Sequence, residues 1–145
     1  MKTINGDLIK LAKEGRYDLI IHGCNCFNTM GAGIAKSIKE NFPDAYKTDL
    51  RTTKGDKSKL GTFTFVTING LTIINAYTQY HYGGGGCLFD YNAFERILTQ
   101  IKDKFPGVRI GLPKIGCGLA GGDWEAVVQI IDRILPDIEY VEFSN

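Results

Sequence analysis

The chain reads as an α/β fold, a mixed central sheet with helices on both faces. Three observations predict it. Apolar, strand-like runs alternate with amphipathic helical segments along the whole sequence. One tight turn, Asn69-Gly70, joins two strand-like runs directly as an antiparallel hairpin, whereas the other strands are separated by helices and so can pair in parallel. Glycine, 18 of 145 residues, gathers in three stretches that each follow a strand-like run.

Lys2 to Asn5 forms a short strand, and Asp7 to Lys13 (DLIKLAK) a first helix that Asp7 can cap. Leu19 to His22, with Tyr17 just before, is isoleucine-rich and fit for a buried strand. Ile34, Ala35, Ile38 and Phe42 recur at helical spacing until Pro43 stops the helix, and Asp44 to Thr52 adds another short one. Thr62 to Ile68 and Leu71 to Tyr77 flank the Asn-Gly turn as a hairpin. Tyr91, Phe94, Leu98, Ile101 and Phe105 trace one face of a long helix ending before Pro106-Gly107. Val108 to Leu112 is a buried strand, Trp124 to Leu135 a last amphipathic helix, and Ile138 to Phe143 a closing strand.

Length and composition suit a single domain over residues 1–145, with 43% hydrophobic and 23% charged residues. A formal net charge of +1 provides no basic face, so stable nucleic-acid binding is not expected. The one basic cluster, Arg51 to Lys59 with Asp56 inside it, reads as a solvated loop, with contact to an extended substrate as the less favoured alternative. No apolar run approaches the roughly 20 residues of a membrane span, and MKTINGDLIK lacks a signal-peptide core. A cytoplasmic, monomeric protein is expected. Cys24, Cys26, Cys87 and Cys117 do not match a zinc pattern, so neither a metal nor a cofactor is expected. Cys24 and Cys117 sit in glycine loops whose N–H groups would favour a thiolate nucleophile, but the favoured reading is a small residue suited to a crowded loop.

The glycine-dense stretches are Cys24 to Ile34 (CNCFNTMGAGI), Tyr80 to Leu88 (YHYGGGGCL) and Ile115 to Trp124 (IGCGLAGGDW). Glycine lets a ligand approach the main chain, and a helix start offers unpaired N–H groups and a favourable dipole to an anion. In open sheets of this kind ligands lie beyond the carboxyl ends of the strands, where these loops should be. The expected ligand carries phosphate.

The run GDL (Gly6 to Leu8), the run IIHGCNCFNTMGAGIA (Ile20 to Ala35) and the run LPKIGCGLAGGDW (Leu112 to Trp124) together resemble a macro domain, the module that binds ADP-ribose, across nearly the whole chain. The resemblance implies a three-layer α/β/α fold with a small-molecule ADP-ribose derivative across the sheet's carboxyl edge. It implies that Asp7, with Leu8 beside it, accepts from the adenine amino group, although Asp7 could equally serve only as a helix cap. It implies that Asn25 bonds ribose hydroxyls; an asparagine turn bonding its own backbone is the alternative. Gly31, Ala32, Gly33 and Ile34 match the loop near the diphosphate and distal ribose. Ile115, Gly116, Cys117, Gly118 and Leu119 match the loop that closes over it. Phe143 would stack on adenine or pack in the core.

Family members that remove ADP-ribose from acidic side chains or thymidine are expected to use a lysine just after the hairpin, where this chain has Thr78-Gln79. Some also carry an aspartate where Ala120 stands; Asp123 could substitute for it or cap a helix. The chain also resembles the phosphatases acting on ADP-ribose 1″-phosphate, through Ile21-His22-Gly23-Cys24-Asn25-Cys26 and through Asp90 after the second glycine loop. A further histidine of that subgroup has no counterpart. The expected catalytic residues are therefore His22, Asp90 and Asn25, hydrolysing ADP-ribose 1″-phosphate without a metal. His22 could instead be a hydrogen-bonded core residue and Asp90 a helix cap, with His81 in reserve as a base. Tyr80 and Tyr82 could line the distal-ribose end or shield a strand edge. A non-catalytic ADP-ribose reader, and a hydrolase freeing ADP-ribose from protein or nucleic acid, are the alternative functions.

Overall fold

A computed structural model describes residues 1–83, 86–116 and 120–144. Six strands form one sheet: β1 (Lys2–Gly6), β2 (Leu19–Cys24), β3 (Phe63–Ile68), β4 (Leu71–Tyr77), β5 (Ile110–Leu112) and β6 (Glu139–Phe143). Their spatial order is β1-β6-β5-β2-β4-β3. Every neighbouring pair is parallel except β3 with β4, the hairpin, so the sheet is mixed as its sequence pattern requires. Asn69 (φ 50°) and Gly70 (φ 83°) both take the left-handed conformation of a two-residue hairpin turn.

Helices α1 (Leu8–Lys13), α2 (Gly33–Asn41) and α3 (Pro43–Leu50) cover one face of the sheet, and α4 (Tyr91–Lys104) and α5 (Trp124–Ile134) the other. The alternation of strand side chains decides which residues feed which layer. Leu19 and Ile21 of β2 and Ile74 and Ala76 of β4 pack with Phe94, Leu98, Val127 and Ile131. Ile20 and Ile73 point the other way, against Leu8, Ile38, Phe42 and Ala45. The result is the three-layer α/β/α architecture. β4, flanked on both edges and covered on both faces, is buried at every position, and its polar Thr72 and Asn75 are hydrogen-bonded there.

The stretch 51–59 differs from its expected solvated loop. Lys57–Lys59 form a turn of 3₁₀ helix capped by Asp56, and the Lys59 amine is buried, donating to Asn28 Oδ1 (2.6 Å), Thr52 Oγ1 (2.9 Å) and the Thr53 carbonyl (3.1 Å). Three oxygen acceptors replace the water that a lysine normally keeps. Among the described residues no helix is long and apolar enough to cross a membrane.

Gly111 of β5 tests the packing. A Cβ there would lie 2.7–2.8 Å from the ring of Tyr17, and Tyr17 cannot swing aside because its hydroxyl donates to Glu139 Oε1 at 2.8 Å. Gly111→Ala should cost about 1–3 kcal/mol, read as a lower denaturant midpoint with unchanged slope.

Candidate functional site

Because β1, β6, β5, β2 and β4 run parallel, their carboxyl ends share one rim of the sheet. Asp7 follows β1, Phe143 ends β6, the 113–116 segment follows β5, the first glycine loop follows β2 and Thr78 to Tyr82 follow β4. Two hollows of about 620 and 600 Å³ lie along this rim. Gly33, Ile34, Pro113 and Lys114 line both, so they form one cleft with two arms. One arm holds Asp7, Leu8, Val141 and Phe143; the other holds Gly23, Asn25, Thr29, Thr78, Gln79 and Tyr82. Each volume lies within the usual range for small-molecule sites.

The helix ends around the cleft are treated unequally. Asp7 caps α1 by accepting from Ile9 and Lys10 N–H, Asp90 caps α4 through Ala93 N–H, and Asp123 caps α5 through Glu125 N–H. The helix that opens into the middle of the cleft, α2, has Ala32 at its cap position, no side-chain cap bond and no acidic residue in its first turn. Its N-terminal N–H groups and dipole are left for an anion. Gly33, at φ +58° with nothing within 4 Å of where a Cβ would stand, keeps the approach open.

Both cap bonds of Asp7 end on Oδ1, and Asp7 lines the cleft. Leu8 is buried beneath it, and Phe143 is 72% exposed at the cleft edge rather than packed in the core. Gly31, Ala32, Gly33 and Ile34 line the cleft, with Asn25, Ile115 and Gly116. Asn25 accepts from Phe27 N–H (2.8 Å) and donates to Thr29 Oγ1 (2.7 Å), so its amide is held in a turn at the cleft wall. Cys117, Gly118 and Leu119, with Gly84 and Gly85 of the second loop, lie outside the described residues.

The expected catalytic residues are not brought together. His22 is fully buried on the α3 side of β2, its Nε2–H donating to Asn75 Oδ1 at 2.7 Å while Asn75 Nδ2 donates to Ala45 O and Thr64 Oγ1. Burial pushes its pKa down to about 4, against a smaller opposing contribution from the Asn75 bond, so the ring is neutral at physiological pH. Asp90 is turned into its cap, and neither residue lines the cleft. Asp123 is likewise spent on α5. Cys24 lines the cleft, but its thiol is buried against the His22 ring, and burial and then the nearby Asp49 charge raise its pKa well above the ordinary value, which disfavours a thiolate. Tyr80 turns inward, donating to the Gly55 carbonyl at 2.8 Å, whereas Tyr82 lines the cleft mouth. Among the described residues no group of three or more His, Cys, Asp and Glu side chains is placed to hold a metal ion.

Sequence reasoning missed Gly23, Thr29, Gln79, Pro113 and Lys114 as lining residues. Gly23 had a signal, a glycine inside an otherwise buried strand, which marks close approach: a Cβ there would meet Thr78 Oγ1 at 2.9 Å and Ile115 Cγ1 at 3.3 Å. The loops also lock one another. Leu88 N–H donates to Ala120 O (2.7 Å), Gly122 N–H to Gly116 O (2.6 Å), and Gly121, at φ +70°, has no room for a Cβ beside the Gly86 carbonyl.

Known proteins resemble this chain throughout. The family model described as "Macro domain" matches residues 21–131. A 17.5 kDa protein from the tk-vs intergenic region of Enterobacteria phage T4 is 33% identical over 97% of this chain and 94% of its own length. The DNA ADP-ribosyl glycohydrolase of Mycobacterium tuberculosis is 26% identical over 94% of this chain, which spans only 40% of that protein. The ADP-ribose 1″-phosphate phosphatase of Aspergillus oryzae is 46% identical, but over 32% of this chain and 21% of its own. Among solved structures, the macrodomain of Thermus aquaticus DarG shares the fold, with a TM-score of 0.74 and 21% identity over 99% of this chain and 97% of that one.

The buried histidine makes a stability prediction with a definite sign. Unfolded, the ring takes up a proton near 6.5; folded, it resists until about pH 4. The unfolded state therefore binds the extra proton in that window, and stability falls as pH drops through it, by about 3 kcal/mol in all. Denaturant unfolding at pH 7 and pH 4.5 should show this loss, and His22→Gln should have a visibly shallower pH dependence. Equal slopes for the two proteins would mean that the ring is not sequestered.

Proposed function

Because the chain belongs to the macro domain family, we propose that its cleft binds ADP-ribose and that the protein hydrolyses the bond joining the distal ribose to an attached acceptor. The observation that carries this reading is the uncapped N-terminus of α2 at the middle of a two-armed cleft. Backbone N–H groups and the helix dipole suit a diphosphate there, and Lys114, which lines both arms and holds its amine 6.0 Å over the Trp124 ring, adds a nearby cation. The arm with Asp7 and Phe143 then takes adenine, by an accepted hydrogen bond and a ring face. The arm with Asn25, Thr29 and Gln79 takes the distal ribose, with amide and hydroxyl groups suited to its hydroxyls.

The described residues lining the distal arm include no carboxylate and no imidazole. Turnover in this reading rests on orientation: Asn25 and Gln79 position the sugar and a water, while the amides around the diphosphate stabilise charge there. His22 and Asp90 serve the framework. Whole-chain likeness to the mycobacterial glycohydrolase, and an arm that opens at the exposed Tyr82, favour a bulky acceptor. A second reading, release of the terminal phosphate from ADP-ribose 1″-phosphate, is favoured by the Ile21 to Cys26 run and the local likeness to the Aspergillus phosphatase.

Calorimetry with ADP-ribose tests the binding step. Gly33→Glu should weaken it by about 100-fold or more, since a carboxylate would enter the anion's path; undiminished affinity would remove the ligand from this loop. Product analysis after incubation with an ADP-ribosylated oligonucleotide and, separately, with ADP-ribose 1″-phosphate distinguishes the two reactions. Asn25→Ala should slow the active one by about 100-fold, the scale of one lost positioning donor, while His22→Gln keeps most of it. Tight binding with neither product would leave a reader that does not turn over.

A further inference from the structure

We propose that the free edge of β3 docks an extended, acidic segment of a partner protein, which adds to the sheet as a further strand. The inference is independent of what fills the cleft, because no residue of β3 lines it. β3 pairs with β4 on one side and is the last strand of the sheet on the other. Its sequence, FTFVTI, has no charge and no proline, and its pairing with β4 runs from Phe63 to Ile68 without a bulge. A charge on the strand, a proline or a bulge is what normally guards such an edge. The opposite edge strand, β1, begins with the exposed Lys2.

The alternation of an antiparallel ladder fixes which backbone groups are free. Tyr77 N–H donates to Thr62 O at 3.0 Å, and the two-residue turn at Asn69-Gly70 makes Ile68 and Leu71 a hydrogen-bonded pair. Between them Thr64 and Val66 direct their N–H and C=O groups at β4, and those of Phe63, Phe65 and Thr67 point out of the sheet edge. The side chains beside these groups are apolar. Phe65 is 39% exposed, its ring 5.4 Å from Phe105 and 6.2 Å from Phe63. Leu50 of α3, the helix packed on the other face of β3, is 49% exposed. A row of free backbone groups between apolar side chains suits the addition of an extended chain.

Charge decides the occupant. α4 sets three exposed side chains, one turn apart, along this edge: Arg96 Nη2 donates to Leu60 O (3.2 Å), Gln100 Nε2 to Gly61 O (3.2 Å), and Lys104 Nζ lies 5.3 Å over the Phe65 ring. Among the described residues neither Arg96 nor Lys104 forms an ion pair. The nearby Asp103 lines a separate hollow with Leu135 and Pro136. A second copy of the chain fits poorly, because twofold pairing of the β3 edges about Phe65 would set Lys104 against its own counterpart with no carboxylate between them. A nucleic acid has the charge but no row of N–H and C=O groups to continue the ladder. A segment that alternates apolar and acidic residues meets the backbone, the apolar side chains and the cations together. Exposed ion pairs contribute modestly, so the ladder supplies the affinity and the cations the choice of partner.

Anisotropy titration of a labelled, capped peptide of alternating glutamate and valine, about six residues long, tests the edge, with the lysine–valine peptide as its control. In low salt the wild-type protein should bind the acidic peptide saturably, lose affinity for it as salt rises, and leave the basic peptide unbound. Thr67→Pro removes an outward N–H without breaking the ladder to β4, and should weaken binding about tenfold at an unchanged melting temperature. Lys104→Glu, on the surface of α4, should weaken it about fivefold and narrow the preference over the basic peptide, and it carries the test alone should the proline disturb β3. No saturable binding of the acidic peptide, equal binding of both peptides, or wild-type affinity in both variants overturns the proposal. Sedimentation of the protein alone as a concentration-dependent dimer that Thr67→Pro dissolves would give the edge to a second copy and overturn it as well.

Discussion

The shared direction of five neighbouring strands is the constraint on which the site depends. Parallel pairing from β1 through β6, β5 and β2 to β4 forces each following segment to leave the sheet at the same rim. Residues far apart in the chain, such as Asp7 and Phe143 beside Lys114, thereby line one hollow. The loops are then fixed to one another by backbone bonds, not left to find their places. Cys26 N–H donates to Tyr80 O at 2.9 Å, Gly55 N–H to Cys26 O at 2.7 Å and Asp90 N–H to Thr78 O at 2.7 Å. Such bonds tie the first loop to the second and the second to the helix behind it.

Electrostatics follows from how aspartate is distributed around this rim. Three helices start on an aspartate cap, which satisfies their orphan donors and offsets their dipoles. An acidic cap on α2 would do the same and would fill the space an anion needs; Ala32 and Gly33 do neither. The bare terminus explains how a chain of near-zero net charge can favour a dianionic ligand: the positive potential comes from oriented backbone dipoles at one point, not from side chains spread over a face.

Much of this was legible in the sequence, and the limits have physical causes. The strands, the hairpin and the helix starts at Asp7 and Asp90 were readable because periodicity and capping act over a few residues. The glycine stretches pointed to the cleft because close backbone approach excludes other residues. The position of His22 was not readable. Alternation puts it on the same face as Ile20, but whether that face at that height opens to solvent depends on α3, whose Ala45 carbonyl closes the Asn75 end of the chain of bonds. Lys59 misled for the same reason. Its neighbours are polar and charged, and only the folded positions of Asn28, Thr52 and Thr53 turn a surface-like lysine into a buried tie.

These two residues belong to one polar layer beneath the first glycine loop. His22 joins Asn75, Asn75 joins Ala45 and Thr64, and Thr64 meets the Tyr77 hydroxyl, which donates to Asp49 Oδ1 at 2.7 Å. On the other side Lys59 lies 5.1 Å over the Tyr77 ring and grips Asn28, a residue held at φ 60°. Asparagine tolerates that left-handed conformation better than most residues, and the lysine bond fixes its amide there. Breaking one member of such a layer leaves buried polar atoms unpaired, so its members resist movement together. Among the described residues Asp49 Oδ2 has no hydrogen-bond partner, and burial raises the pKa of its carboxyl. Asn25, three residues before Asn28 on the same loop, is held separately by its own turn, accepting from Phe27 N–H and donating to Thr29 Oγ1.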